Sequence, residues 1–388
     1  MGSINIDNTG TGADVTLSSD GTSLLLDGTA IGGGGASLEL YAENPSTPTA
    51  PSATGTNAVA IGSNTTATGQ NAFAIGIGDG DATGTNAFAV AGQSTNTSTI
   101  AIGTNSRASG FKSVSIGADS DATGSRAVAI GADAQAISGA NATAIAESYA
   151  SGSDSFAAAI GNNTSSYGAT GANSIAMGVN AKATNVRGAC FGGNNNLASG
   201  VQASIIGGGG NTASGINSHI YGGGGCVASN TACMASGSDA NATIYAQEAR
   251  SSGSFSSLGD AQASRFVLRA ATTDATATVL TTNNSTAAAT NQIVAASDTC
   301  ITFDGTITAM QNGAQAYASW KIEGLLVNDG GTTTLANSAT TVIQNLSSWG
   351  MALSADNTNN ALAITVTGAA STNIRWVANI RTTEVTYA

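Results

Sequence analysis

The chain has 388 residues, of which 41% are hydrophobic, only 9% are charged and 51 are glycine. A disordered chain combines low hydrophobicity with high charge, so this composition instead indicates narrow strands, tight turns and surfaces that stack on one another. The formal net charge is −12 and the 11 basic residues are scattered singly. We therefore expect no nucleic-acid partner.

The N-terminal segment, residues 1–44, contains aspartate and glutamate but no lysine or arginine. Apolar and polar residues alternate over 3–7 and 13–28, and an Asp-Gly pair within such runs predicts a β-hairpin. All three prolines then fall within seven residues, at Pro45, Pro48 and Pro51. Proline fixes φ and removes a hydrogen-bond donor, so we predict a stiff linker over 45–56.

No membrane or export signal is evident in the sequence. The first thirty residues lack the basic start and apolar core of a secretion signal, and no stretch of about twenty apolar residues occurs. We expect a polypeptide that is soluble, folds where it is made and does not insert into a membrane.

A short phrase recurs thirteen times over 57–257: a small residue, then an apolar residue, then usually glycine. Examples are NAVAIG, NAFAIG, KSVSIG and NSIAMG, and the intervals cluster near fourteen residues. A fixed period of this length predicts a parallel β-solenoid of about thirteen coils, with one strand-turn-strand unit per repeat. The apolar repeat positions are Ile61, Ile75, Val90, Ile102, Ile116, Ile130, Ile145, Ile160, Met177, Phe191, Ile206, Tyr221 and Met234.

The repeat at 57–69 shows how each coil is encoded. Residues 58–61 alternate as a strand, Gly62 begins a turn, 65–68 form a second strand, and Gly69 begins a second turn. We expect so thin a coil to enclose little more than alanine and one larger side chain. Its hydrophobic stripe then needs a partner, which predicts a parallel homotrimer about a three-fold axis, in a rod roughly 60 Å long.

Some repeats depart from the pattern. Ala91 stands where most repeats have glycine, and the interval from Ile160 to Met177 is long, with Tyr167 among its extra residues. These departures predict bulges or small loops. After Phe191 the glycines multiply, in FGGNNN, IIGGGGN and IYGGGGC, and the shared asparagine or cysteine predicts one structural variant repeated three times.

The residue types that carry catalysis are scarce. Cys190 and Cys233 belong to a set of four cysteines without zinc-site spacing, and we expect them to be small buried residues. His219 is the only histidine, and we expect a strand residue there, not a catalytic base. Asp79 and Asp81 in GDGDATG resemble a single calcium-binding turn, for which ordinary turn acidity is the better account. We expect no enzyme, no cofactor and no metal site.

After about Leu258 the fourteen-residue period disappears, and irregularly spaced alternating strands follow. They predict an antiparallel β-sandwich or jelly roll over 258–388. The expected strands cover 266–268, 279–280, 301–307, 317–327, 362–366 and 374–385.

Three aromatic residues of this C-terminal region are candidate surface contacts: Tyr317, Trp320 and Trp349. An outward-facing aromatic ring can stack on a sugar of a host surface. The alternative for each tryptophan is burial in the core of the domain.

The repeats NAVAIGSNTTATG, NAFAIGIGDGDATG and RAVAIGADAQAISG resemble the head repeat of trimeric autotransporter adhesins of the YadA type, over roughly 57–240. This resemblance implies a trimeric, left-handed parallel β-roll. No coiled-coil stalk or membrane-anchoring barrel pattern accompanies it here. Instead, the segments beginning MGSINIDNTG and GDAQASRFVLRAATTD resemble those of structural proteins of tailed bacteriophages, particularly aquatic ones such as cyanophages.

Together these features favour a virion protein assembled in the host cytoplasm: a trimeric tail fibre with an N-terminal segment that docks on other virion proteins. The roll would serve as a rigid spacer and the C-terminal domain as a tip for a host-surface glycan or protein. A capsid-decorating protein without a receptor is the alternative of the same class. Ice binding would need a Thr-x-Thr ladder at the same place in every coil, and the second strands TTATG, SRASG and AQAISG do not maintain one. A polysaccharide-degrading tailspike is disfavoured by the scarcity of charged residues.

Overall fold

The computed structural model describes residues 4–6, 15–19, 24–26, 29–31 and 49–387, apart from 77, 79, 162–164, 314 and 346–348. Every regular element in these ranges is a β-strand, so the predicted all-β class is confirmed. The prolines 45 and 48 and the turn residue Asp79, for which no metal site was expected, lie outside the described residues.

The N-terminal segment contains a four-stranded antiparallel sheet, which includes the region of the predicted hairpin. Its strands follow one another in chain order across the sheet. They are Ile4–Ile6 (β1), Val15–Ser19 (β2), Leu24–Leu26 (β3) and Thr29–Ile31 (β4).

A parallel β-solenoid, here called the roll, occupies residues 52–252. Its strands are Ser52–Ala53 (β5), Val59–Ile61 (β6), Thr66–Ala67 (β7), Phe73–Ile75 (β8), Asp81–Ala82 (β9), Phe88–Ser94 (β10), Ile100–Ala108 (β11), Val114–Ile116 (β12), Asp121–Ala122 (β13), Val128–Ile130 (β14), Gln135–Ala136 (β15), Thr143–Ile145 (β16), Tyr149–Ala150 (β17), Phe156–Ala158 (β18), Gly168–Ala169 (β19), Ile175–Val179 (β20), Lys182–Ala183 (β21), Ala189–Asn194 (β22), Leu197–Ala198 (β23), Ser204–Ile205 (β24), Thr212–Ala213 (β25), His219–Gly224 (β26), Val227–Ala228 (β27), Met234–Ser238 (β28), Asn241–Ala242 (β29) and Glu248–Ser252 (β30).

Each coil contributes one strand to each of two walls. The strand that carries the apolar repeat position forms the first wall, and the short strand after it forms the second; β10 and β11 run through both. Parallel pairing joins equivalent residues of successive coils, as in Ala129 with Ala144. The predicted solenoid is thus confirmed, and its first strand, β5, lies within the predicted linker.

The interior of the roll is a stack of alanines. Side chains alternate along a strand, so the middle residue of each first-wall strand points inward, as Ala74 and Ala129 do, both fully buried. In the second wall, Ala67 and Ala122 do the same. The prediction that each coil encloses one larger side chain is wrong for most coils, because the large residues flank the inward alanine and point outward.

Tight turns allow the coils to stack this closely. Asn57 and Asn64 take the left-handed conformation, with φ of 59° and 60°, which asparagine tolerates better than most residues. At the end of the second wall a glycine is required for a different reason. A Cβ added to Gly124 would lie 2.1 Å from the carbonyl oxygen of Gly139 in the next coil.

The strand register corrects the predicted repeat positions in two coils. Ala158 pairs with Ile145, so it takes the place assigned to Ile160, which is fully buried. Met234 pairs with His219 and so lies two residues before the apolar repeat position. A fourteenth coil follows in β30, where Glu248 and Arg250 stand in place of the apolar residues of the repeat. The predicted bulge at Ala91 is confirmed by a register shift and a φ of 51°.

The glycine-rich coils share one buried polar position, as the sequence predicts. Asn196 and Asn211 are buried at equivalent places in successive coils, and Cys226 follows in the third. The Asn211 amide donates to the carbonyl oxygens of Gly207 and Gly223, at 3.0 and 3.1 Å. Its own oxygen accepts from the backbone N–H of Cys226 at 2.9 Å. The Gly223 carbonyl also accepts from the backbone N–H of Gly209 at 2.9 Å. The asparagine thereby satisfies the carbonyl of Gly207 and the N–H of Cys226 and adds a second bond to Gly223.

Two antiparallel sheets follow the roll and share one hydrophobic core. The first has the order β30-β31-β39-β34-β35-β36, so its strands continue directly from the last coil of the roll. The second has the order β32-β38-β33, with β37 also paired to β38. The strands are Ala261–Thr272 (β31), Thr278–Val279 (β32), Ile293–Val294 (β33), Thr299–Gln311 (β34), Tyr317–Asp329 (β35), Thr332–Asn345 (β36), Gly350–Asp356 (β37), Ala361–Thr367 (β38) and Ile374–Thr386 (β39).

Candidate interaction surface

The outward side of the first wall forms a continuous apolar ladder along the roll. Its members become more exposed toward the C-terminal coils: Ile130 is 41% exposed, Ile206 54% and Tyr221 59%. The apolar ladder consists of Val59, Ile61, Phe73, Ile75, Phe88, Val90, Ile100, Ile102, Val114, Ile116, Val128, Ile130, Ile145, Phe156, Ile175, Met177, Phe191, Ile206, Tyr221 and Met234.

The ladder follows from the thinness of the coil. Most coils enclose only a small side chain, with Ile160, Ile205 and Ile220 as buried exceptions. The large apolar residues of an alternating strand therefore point mainly to the outer surface, where they stack on their counterparts in the next coil. The rings of Phe73 and Phe88 stack in this way, with centroids 5.4 Å apart. A patch of this length is larger than a soluble monomer ordinarily exposes, and indicates an interaction site.

The outward side of the second wall is mostly polar. It includes the exposed ion pair between Arg107 Nε and Asp121 Oδ1, at 3.4 Å. Its polar members are Thr66, Asp81, Gln93, Arg107, Asp121, Gln135, Lys182, Thr212 and Asn241. The roll is therefore two-sided, with a continuous apolar ladder on the first wall and isolated apolar side chains, Tyr149, Leu197 and Val227, on the second.

The apolar ladder ends where the roll meets the C-terminal sheet. In β30 the outward pair is Glu248 and Arg250, and β31 continues the same face with Arg265 paired opposite Glu248. An open groove of about 740 Å³ lies here, between Tyr221 near the end of the ladder and the guanidinium of Arg381. Arg381 Nη2 and Asp304 Oδ2, which line the groove on adjacent strands, form an ion pair at 2.7 Å.

The structure separates the three predicted surface contacts. Tyr317 is 47% exposed on β35, whereas Trp320 and Trp349 are only 3% and 4% exposed. Both tryptophans pack against Trp376, at ring-centroid distances of 5.9 and 5.6 Å. Their burial removes them as surface contacts of this chain, and the alternative stated for them, a place in the domain core, is where they lie.

The reactive residue types are used structurally. Cys190, Cys226 and Cys233 are buried as free thiols, as expected for Cys190 and Cys233. Burial raises the pKa of Cys190 to about 11, which keeps the thiol protonated at neutral pH. His219 lies on the first wall, where its Nδ1 is 2.6 Å from Ser204 Oγ. Within the described ranges, no group of three or more metal-ligating side chains comes together.

Sequence reasoning did not identify the groove, because its residues come from strands that are distant in the chain. The alternation in IRWVANIR puts Arg381 on the face opposite Trp376 and Ile380, but it does not indicate which strand lies beside it. Among the residues described, no helix is long and apolar enough to span a membrane.

The roll matches one known family. Models of the YadA head domain repeat match residues 53–78, 94–120, 108–134, 122–145 and 169–188. All of these residues lie in the roll, and the resemblance inferred from the repeats is confirmed there. No curated protein matches the chain.

Proposed function

We propose that this protein is a homotrimeric, adhesin-like fibre of a tailed-bacteriophage virion that attaches the particle to the surface of its host. The main support for a trimer is the apolar ladder, which runs the length of the roll on one wall and is solvent-exposed in the single chain. The YadA head repeats in the same coils support parallel assembly of three chains.

Three copies give a simple way to cover the ladder. The ladder is a single stripe along the first wall of each roll, so three parallel chains about one axis can bury all three stripes at once. The polar second wall then stays in solvent. Each buried large side chain adds to the stability of the assembly in proportion to the apolar area removed from water.

The roll then serves as a rigid spacer. Fourteen coils at about 4.8 Å per strand give a rod about 60 Å long. The N-terminal segment docks on other virion proteins, and the C-terminal sheets form the tip that meets a host glycan or protein. The terminal sequences that resemble those of phage structural proteins support this arrangement. We place the protein in the virion, assembled in the host cytoplasm, without enzymatic activity.

A capsid-decorating fibre without a receptor is the second candidate, since it too needs a docking end and a stable projection. Cryo-electron microscopy of the intact particle distinguishes the two. Density for the roll at the tail supports host attachment, and density on the capsid supports decoration. Absence of the chain from purified particles, measured by mass spectrometry, would refute both forms of the virion proposal. Depolymerisation of host polysaccharide by the purified protein would refute a non-enzymatic fibre.

A further inference from the structure

The outward face of the C-terminal sheet, here called the basic face, has a charge opposite to that of the whole protein. In the full chain 23 acidic residues stand against 11 basic ones. On the basic face, the outward residues of β30, β31, β39, β34 and β35, six basic residues stand against four acidic ones. The basic residues are Arg250, Arg265, Arg269, Lys321, Arg375 and Arg381, and the acidic ones are Glu248, Asp304, Glu323 and Asp329.

Strict alternation makes these side chains available to a ligand. Each arginine of β31 and β39 stands between two buried core residues, as Arg265 does between Ser264 and Phe266. The side chains of Arg265 and Arg381 are 54% and 71% exposed. Strand pairing sets them directly opposite each other, an arrangement of like charges that is unfavourable without a counter-charge.

The charges are only partly balanced within the chain. Asp304 pairs with Arg381 at 2.7 Å, but Glu248 and Arg265 are 4.0 Å apart, at the limit of an ion pair. Exposed pairs of this kind contribute little to stability, so they can be exchanged for a ligand at small cost. The groove of about 740 Å³ lies over these residues and opens to solvent.

The lining favours a sugar over a phosphodiester chain. Beside the arginines, the groove contains the hydroxyl groups of Thr302 and Thr383 and the carboxylates of Glu248 and Asp304. Guanidinium groups bind carboxylates and sulfates in paired geometry. The carboxylates of Glu248 and Asp304 accept hydrogen bonds from sugar hydroxyls, whereas the phosphodiester backbone of DNA offers them no donor.

The basic face also remains outside the apolar contact between chains. Glu248 and Arg250 replace the apolar pair in the last coil, so the apolar ladder does not continue onto the basic face. Three faces with the same excess of positive charge would repel one another. We propose that the groove between Tyr221 and Arg381 binds an anionic polysaccharide carrying carboxylate or sulfate groups. This rests on the proposed attachment function and names the chemistry of the receptor.

Binding of the full-length protein to immobilised alginate, dextran sulfate and neutral dextran tests the proposal. We expect saturable binding to at least one anionic polymer, at least tenfold tighter than to dextran, and weakened as NaCl rises from about 50 to about 300 mM. The double variant Arg265→Gln/Arg381→Gln should lose at least tenfold in affinity. The matched control Arg107→Gln/Arg126→Gln removes two arginines from the roll and should stay within twofold of the parent protein.

Four outcomes would overturn the proposal: no binding to either anionic polymer, equal binding to dextran and both anionic polymers, an unchanged affinity of the double variant, or equally tight binding of a thymidine oligonucleotide. Light scattering on each sample measures its oligomeric state. Failure to bind the polysaccharide is thereby distinguished from failure to form a trimer. A trimer that ignores both anionic polymers refutes only the polysaccharide site. A monomer that still binds them through Arg265 and Arg381 refutes only the trimer.

Discussion

Two neighbouring members of the apolar ladder, Ile130 and Ile145, offer the sharpest test of trimer formation. Their strands pair directly in the first wall, and the side chains are 41% and 39% exposed in the single chain. Replacing both with glutamate leaves the alanine interior untouched, because both side chains point outward. In a trimer that buries the ladder, however, the two substitutions place six carboxylates in an apolar contact.

The expected loss is large compared with the strength of a complex. Full burial of an isoleucine contributes about 1.5–3 kcal/mol, so covering the exposed part of each contributes about 1 kcal/mol, or about 6 kcal/mol for the three chains. An unpaired buried charge costs about 3–5 kcal/mol, which adds about 18 kcal/mol or more for six. The sum is above the roughly 18–21 kcal/mol at which noncovalent association saturates. We therefore expect a folded monomer.

Size-exclusion chromatography with light scattering measures the result. The parent protein should have a mass about three times 37.5 kDa, and the Ile130→Glu/Ile145→Glu variant a mass near 37.5 kDa. The control Gln93→Glu/Gln135→Glu adds the same charges to the polar second wall and should remain trimeric. A double ladder variant that keeps the trimer mass would refute the assignment of the ladder as the interface.

Three further predictions concern the roll and its cysteines. Gly124→Ala places a Cβ 2.1 Å from a carbonyl oxygen and should destabilise the fold by about 2 kcal/mol or more in thermal unfolding, whereas Gly207→Ala, with open space around it, should cost less than about 1 kcal/mol. Asn211→Ala leaves the Gly207 carbonyl and the Cys226 N–H without their partner and should cost about 3 kcal/mol in urea unfolding. Asn211→Cys should cost less, because the chain itself uses cysteine one coil later; equal losses would contradict this. Cys300, the one partly exposed thiol, should be the only cysteine to react with Ellman's reagent at pH 8 in the native protein. Burial keeps the thiol of Cys190 protonated, and rapid labelling of Cys190 would contradict its burial. The folded pKa of Cys190, about 11, lies above the ordinary value of 9.0, so the free energy of unfolding should fall as pH rises from 9.0 to about 11.

The sequence alone predicts the class of fold because the information is local and repeated. A period near fourteen residues, with glycine and asparagine at fixed places, requires a coil of two short strands and two tight turns. The same locality explains the variant coils. Asn196, Asn211 and Cys226 recur at matching positions after matching glycines, so their common role is visible before any contact is known.

Locality also explains the errors. Ala158 and Ile160 both fit the repeat phrase, and only ladder pairing with Ile145 decides between them. The sequence of an alternating strand does not specify whether the apolar or the small side chain points into the coil. The width of the assembled coil, which no single repeat contains, sends alanine inward and isoleucine outward. The last coil escapes detection because Glu248 and Arg250 replace its apolar pair.

The sequence by itself therefore determined the β-roll, its approximate number of coils and the alternating strands that follow it, because these depend on residues close together in the chain. Only the tertiary structure decided which aromatic residues reach the surface, burying Trp320 and Trp349 while exposing Tyr317. It also decided that Arg265 and Arg381 face one groove. The two residues are far apart in sequence, and antiparallel pairing of β31 with β39 places them side by side.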